Sequence, residues 1–140
     1  MYLHLCEERM EAKNTFPKTE SLKHKRLFDS LFKGGKRAFQ HPLMLVWKEC
    51  ELPSETPLQI GFSVPKKHFK RAADRNLVKR RLRESYRLQK HDLHLALNKK
   101  GKQIAVLIVV VKADNTSYEV LRDKMMLLLR SVEAKINDVQ

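Results

Sequence analysis

Apolar residues recur every four positions in the segment 19–33, which is the spacing of one side of a helix. Two neighbouring rows share this spacing, formed by Leu27 with Leu31 and by Phe28 with Phe32. Two glycines, Gly34 and Gly35, follow at once. Glycine ends helices readily because it adopts the left-handed cap conformation without a steric cost. The pattern predicts a helix over residues 19–33, preceded by a loose leader over residues 1–18.

Two strands are predicted downstream by different patterns. Residues 43–47 (LMLVW) are continuously apolar, which is typical of a buried strand. Residues 58–64 alternate instead, with Leu58, Ile60, Phe62 and Val64 on one face and Gln59, Gly61 and Ser63 on the other. The second face is small and polar, so it is either the floor of an open groove or an ordinary solvated face of a sheet.

The second half of the chain predicts a long basic helix, a short helical segment around residues 91–98, a strand and a last helix. Residues 103–111 are rich in valine and isoleucine, which indicates a buried strand. Thr116 and Glu119 match a capping box for the last helix. Its apolar face consists of Leu121, Met125, Leu128, Val132 and Ile136. This element order predicts a single α/β (α+β) domain over residues 19–140, folded as a two-layer sandwich.

Positive charge is concentrated in the basic helix and the loop before it. The chain carries a net charge of +13, and residues 66–90 contain eleven Lys or Arg and two acids. On a helical wheel, an arc about 100° wide is centred on Asn76. The cations of this arc, called the cationic face below, are Lys79, Arg80, Arg83, Arg87 and Lys90. The opposite arc holds Leu77, Val78, Leu82 and Leu88, with Tyr86 at its edge.

The cationic face indicates a polyanionic partner. Helical charge runs are usually solvated and paired with acids four residues away, but Glu84 is the only acid within the arc's reach on this helix. Repulsion between uncompensated cations destabilises a helix, so an external anion is expected to neutralise them. Nucleic acid fits best. A membrane surface and an acidic protein remain as alternatives.

Several functional classes are disfavoured by what the sequence lacks. Cys6 and Cys50 are far apart and without metal-site spacing, so we expect reduced thiols in a cytoplasmic protein. No apolar run reaches the roughly 18 residues of a membrane span. His91 and His94 have no third ligand nearby and are expected to be a surface pair. Because no cluster of acids is recognisable, we assign the protein no catalytic residue and no metal ligand.

Two segments resemble the bacterial ribonuclease P protein subunit. They are IGFSVPKK at 60–67 and RAADRNLVKRRLRES at 71–85. The family has a strand ending in S-V-x-K-K, then a helix with R-N-R followed by K-R-x-x-R. The resemblance covers about residues 20–137, and Leu77 replaces the second arginine of R-N-R. It implies a four-stranded sheet with three main helices and a β-α-β crossover that is left-handed in the family.

The resemblance also implies a function. In that family a catalytic RNA removes the 5′ leader of precursor tRNA by endonucleolytic cleavage with Mg²⁺, and the protein assists. The metal is then held by RNA, and the partners are the catalytic RNA and precursor tRNA. Residues implied to contact the catalytic RNA are Arg71, Arg75, Asn76, Lys79, Arg80, Arg83 and Arg87. Residues implied to face the leader are Phe28, Phe32, Ser63, Lys66 and Lys67.

Alternative interpretations of these residues remain open. Without the resemblance, core burial is the ordinary explanation for Phe28 and Phe32. A ribosomal or RNA-chaperone protein would share the basic helix but would need no leader cleft. A DNA-binding regulator would place a helix in the major groove, but neither helix-turn-helix spacing nor dimerisation heptads are recognisable in the sequence.

Overall fold

The computed structural model describes residues 20–22, 25–53, 55–113 and 116–138. The predicted leader over residues 1–18 lies outside them. The elements in chain order are α1 (Lys25–Gly34), β1 (Lys36–Gln40), β2 (Leu43–Glu49), β3 (Leu58–Ser63), α2 (Ala72–Gln89), α3 (His91–Lys100), β4 (Ile104–Val110) and α4 (Tyr118–Asp138).

The four strands form one mixed sheet in the order β1-β2-β4-β3. Strand β2 is antiparallel to both β1 and β4, whereas β3 and β4 are parallel neighbours. Because parallel neighbours need a crossover, the chain leaves the sheet after β3 and returns to it through α2 and α3. The predicted α+β architecture and its β-α-β crossover are confirmed. Four helices are present in the described chain, the short α3 being additional to the three main ones.

Two apolar cores lie on opposite faces of the sheet. The larger one packs α2, α3 and α4 against the face that includes Leu45, Ile60 and Val106. The smaller one packs α1 and Leu22 against Val46 and its neighbours on the other face. The continuous apolar character of β2 and β4 follows from this burial on both sides. Helix α1 is therefore separated from the other helices by the sheet.

The prediction of a helix from residue 19 is wrong for residues 20–22. Ser21 forms a parallel bridge with Ile60, and the Leu22 amide donates to the Ile60 carbonyl at 2.9 Å. Strand β3 is at the edge of the sheet, so its outer backbone groups need partners. Residues 20–22, called the strap below, supply one of them. Helix α1 follows at Lys25.

The small polar face of β3 lies under α1. Gln59 and Gly61 are buried, and a β-carbon at position 61 would come within 3.2 Å of Phe28 Cζ. Of the two alternatives for this face, the ordinary solvated face is wrong for these two residues. Ser63 is half-buried. Only the last part of this face is open enough to act as the floor of a groove.

The last helix matches its predicted pattern. The five residues of its predicted apolar face are all buried, together with Leu129. The capping residue differs from the prediction, because Ser117 Oγ, rather than Thr116, accepts the hydrogen bond from the Val120 amide at 3.4 Å. In the described part of the chain no helix is both long and apolar enough to cross a membrane.

Candidate nucleic-acid interface

Helix α2 buries a narrower side than its sequence predicts. Its buried residues are Val78, Leu82, Ser85 and Tyr86. These cover about 100° of a wheel, and the apolar ones pack in the larger core. Leu77 and Leu88 were expected in the apolar arc, but they are 38% and 49% exposed. Both lie outside the buried arc of the helix, so the packed layers do not cover them.

The cationic face is mostly open to solvent. Asn76, Arg80 and Arg83 are exposed, as is Arg71 at the N-terminus of the helix, and Lys79 is half-buried. Glu84 forms a close ion pair with Arg87, three residues later. The hydrogen bond from Arg87 lowers the pKa of the Glu84 carboxyl. The charge of Arg87 is therefore partly compensated within the helix.

Lys90 does not belong to the cationic face. Helix α2 ends at Gln89, and the Lys90 side chain turns into the protein, where the residue is 2% exposed. Its Nζ lies 2.6 Å from Glu20 Oε2. The helical wheel did not predict this burial, because Lys90 lies where α2 passes into α3 and its partner Glu20 is seventy residues away in the sequence.

Arg75 organises the loop between β3 and α2. Its guanidinium donates hydrogen bonds to the carbonyl oxygens of Phe69 and Lys70 at 2.8 and 3.2 Å. Phe69 is buried, and it anchors the loop in the larger core. Lys66 and Lys67 remain exposed at the preceding turn. This loop therefore holds two lysines beside the first turn of the basic helix.

A second open surface lies on the sheet face that carries α1. One row of paired residues crosses all four strands on this face: Phe39, Met44, Val109 and Ser63. Phe39 is 63% exposed and the other three are half-buried. Sequence reasoning missed the first three of these residues. The only signal was an aromatic residue in the short segment KRAFQ, whose strand pairing depends on β2.

The two phenylalanines of α1 differ in exposure. Phe28 is half-buried over Gly61, whereas Phe32, one turn later, is 54% exposed. Packing against the sheet therefore explains why an aromatic residue stands at position 28, but it does not explain the one at position 32. Leu31 is buried in the smaller core. The side chain of Leu27 lies outside the described residues.

The two open surfaces meet at one end of β3. Ser63 ends this strand and belongs to the open row. Lys66 and Lys67 follow three and four residues later, and α2 begins at Ala72. A chain lying along the row of half-buried side chains would thus reach a cluster of cations. The geometry suits an anionic polymer with flat groups that can stack.

The prediction of a surface histidine pair is wrong for His94. His94 Nε2 lies 2.9 Å from the Tyr86 hydroxyl oxygen, and both side chains are largely enclosed. Burial, then the nearby charges of Lys90 and His91, lower the pKa of His94 to about 4. The side chain is therefore neutral near pH 7. Among the described residues, no group of three His, Cys, Asp or Glu is placed to hold a metal ion.

Comparison with known proteins identifies similar chains. The family model described as Ribonuclease P matches residues 16–133. The chain is 32% identical over 130 residues to a protein named ribonuclease P protein component from Chlorobium phaeobacteroides, with 85% of this chain and 88% of that protein covered. A protein of the same name from Porphyromonas gingivalis is 31% identical over 108 residues, covering 77% of this chain and 79% of that protein.

Solved structures share the fold at lower sequence identity. The RNase P protein of Staphylococcus aureus is 18% identical with a TM-score of 0.64, covering 82% of this chain and 96% of that one. The RNase P protein of Thermotoga maritima is 23% identical with a TM-score of 0.63, covering 80% of this chain and 96% of that one.

Proposed function

Since the chain belongs to the ribonuclease P protein family, we propose that it holds the 5′ leader of precursor tRNA while its basic helix binds the catalytic RNA. Family membership makes the RNA of ribonuclease P its partner and makes it a subunit of an endoribonuclease that processes tRNA. The observation that carries the proposal is the junction at the end of β3. There the open row on the sheet and the exposed cations adjoin.

The catalytic RNA is assigned to the cationic face. Arg80 and Arg83 are the strongest candidates for phosphate contacts because both are exposed and neither has an acid partner among the described residues. Asn76 and Lys79 lie between them and the helix N-terminus, and they extend the same surface. Arg71 is exposed beside it. We expect Arg87 to contribute less to RNA binding because Glu84 already compensates part of its charge.

The leader is assigned to the open row and the phenylalanine beside it. The row crosses four strands, which corresponds to a width of about 14 Å. Aromatic faces bind single strands without strong sequence preference, because every base has a face that stacks. Phe32 and Phe39 offer such faces, and Ser63, Lys66 and Lys67 continue toward the cations. Phe28 supports the surface from beneath.

Arg75 has two roles in this proposal. Its position in the family pattern implies contact with the catalytic RNA, and its guanidinium also holds the loop that carries Lys66 and Lys67. Substitution of Arg75 would therefore affect both RNA surfaces at once. Effects at Arg80 and Arg83 are easier to assign to the catalytic RNA alone.

The RNA supplies the chemistry in this proposal. Mg²⁺ is held by the RNA, and the protein lowers the concentration of cations that the complex requires. A chain with a net charge of +13 offsets part of the repulsion between RNA phosphates. A cytoplasmic location is part of the proposal because the substrate is precursor tRNA.

A cleavage assay tests the proposal directly. Precursor tRNA is incubated with the cognate catalytic RNA at low Mg²⁺, with and without the protein, and the position of the cut is mapped. We expect the protein to restore correct cleavage at low Mg²⁺ and to be inactive without the RNA. Specific cleavage by the protein alone would overturn the proposal. Equal stimulation of substrates with a leader of one nucleotide and with a long leader would favour a general RNA chaperone.

A further inference from the structure

A buried ionic cluster lies at the junction of α2 and α3. Lys90 Nζ is 2.6 Å from Glu20 Oε2, and the two side chains are 3% and 9% exposed. Glu20 Oε1 also lies 3.9 Å from His94 Nδ1. On the other side of the His94 ring, Nε2 meets the Tyr86 hydroxyl at 2.9 Å. The cluster thus joins the strap to the end of the basic helix.

The position of Glu20 in the chain gives this cluster its significance. Glu20 begins the strap, whose next two residues pair with Ile60 at the outer edge of β3. Leu22 then packs with Leu31 in the smaller core. Helix α1, with Phe28 and Phe32, starts only three residues after Leu22. The placement of the strap therefore determines where α1 begins on its face of the sheet.

We infer that the Glu20–Lys90 ion pair fixes the strap on β3. Through the strap, it sets the position of helix α1 relative to the basic helix on the other face of the sheet. The consequence of this inference for leader binding rests on the proposed function. A buried ion pair specifies one geometry because any displacement leaves a charge without its partner. Loss of the pair would free the strap while leaving the cationic face in place.

Amide exchange tests the mechanical part without RNA. The variants are Glu20→Gln, Lys90→Met and their double substitution, and Glu49→Gln is the matched control, since Glu49 pairs with Lys102 at 3.0 Å in a more exposed setting. We expect the Leu22 amide and α1 to exchange more than about tenfold faster in each single variant, because an uncompensated buried charge is costly. The amides around Leu82 in α2 should be unchanged.

The double substitution makes the test robust. It removes both charges, so it should fold even where a single variant does not. Exchange at Leu22 should still be faster than in the unsubstituted protein, but no faster than in the faster single variant. Exchange at Leu22 equal to that of the unsubstituted protein, in whichever variants fold, would overturn the inference. Acceleration spread equally over α2 would also overturn it, because the pair would then serve general stability.

Leader binding supplies the functional readout. The ratio of affinities for precursor tRNA with and without its leader should fall by about tenfold in Glu20→Gln, within the range for the loss of one stacked base. This variant raises the net charge, so a purely electrostatic effect would strengthen binding instead. If Phe32→Ala lowers the ratio and Glu20→Gln does not, the inference about the ion pair fails while the proposed function stands. If Phe32→Ala also leaves the ratio unchanged, the proposed function fails.

Discussion

The ring of Phe28 rests on Gly61. A β-carbon at position 61 would lie 3.2 Å from Phe28 Cζ and 3.4 Å from Leu107 Cδ1. The first distance is shorter than an ordinary van der Waals contact, and the second is at the lower limit of one. Helix α1 approaches the sheet closely because β3 has no side chain at this point. The absence of a side chain at position 61 therefore sets the height of α1 above the open row.

Gly61→Val is expected to lift α1 from the sheet. Overpacking of this kind costs about 1–3 kcal/mol of unfolding free energy, and the affinity for leader-bearing RNA should fall as well. Gly34→Ala is the control, since its β-carbon would meet nothing nearer than Lys48 Nζ at 3.6 Å. Denaturant unfolding and leader binding measured on both variants check the prediction. An unchanged unfolding free energy in Gly61→Val would contradict it.

Removal of Arg80 and Arg83 should weaken binding to the catalytic RNA. The slope of log K against log salt concentration should flatten by ~0.7–0.9 for each phosphate that is no longer neutralised. Both residues are exposed, so the free energy of unfolding should change little. Arg130→Ala is a matched control because Arg130 is an exposed arginine of α4. An unchanged salt slope in the double variant would mean that the cationic face is merely solvated.

Phe32→Ala should separate stacking from packing. The ring is 54% exposed, so its removal should cost little stability but ~1–3 kcal/mol of leader binding. Leu95→Ala is the control, because Leu95 is similarly exposed on α3. Mature tRNA binding should be unaffected in both. A large fall in melting temperature without a leader-specific loss would assign Phe32 to the core.

Stability should fall at acid pH through His94. Its ring is surrounded by the Tyr86 hydroxyl, the Glu20 carboxylate and the charges of Lys90 and His91. Glu20 would favour a charged ring, but its charge is already offset by Lys90, so burial dominates. With a pKa of about 4 in the folded state and 6.5 otherwise, the unfolded chain binds the proton more readily. The free energy of unfolding is therefore undiminished by His94 above pH 6.5, and it falls as the pH is lowered from 6.5 toward 4.

The measurement is denaturant unfolding at pH 7 and pH 4.5. The difference in unfolding free energy should be about 2 kcal/mol larger in the unsubstituted protein than in His94→Gln. The glutamine variant cannot titrate, so it removes the contribution of this residue while other acids still respond. Equal pH dependence in the two proteins would show that His94 does not govern the transition.

The spacing of apolar residues along the sequence predicted the helices and strands well, because the burial of each element depends on the residues within it. The apolar face of α4 is buried as its 3.6-residue period requires. Lys90 could not be placed in this way, since its partner Glu20 is seventy residues away. The different exposures of Phe28 and Phe32 were equally hidden, because the sequence pattern gives both residues the same helical row and does not reveal that Gly61 lies opposite only Phe28.

The other edge of the sheet, at β1, has a consequence for the protein on its own. Lys36 and Arg37 are exposed on this edge strand. If two copies paired through β1, the positive charges of Lys36 and Arg37 from both copies would be brought onto one short shared edge. Charged edge strands resist such pairing. The charge on this edge therefore opposes self-association, so the free protein should remain dispersed at concentrations where an apolar edge would aggregate.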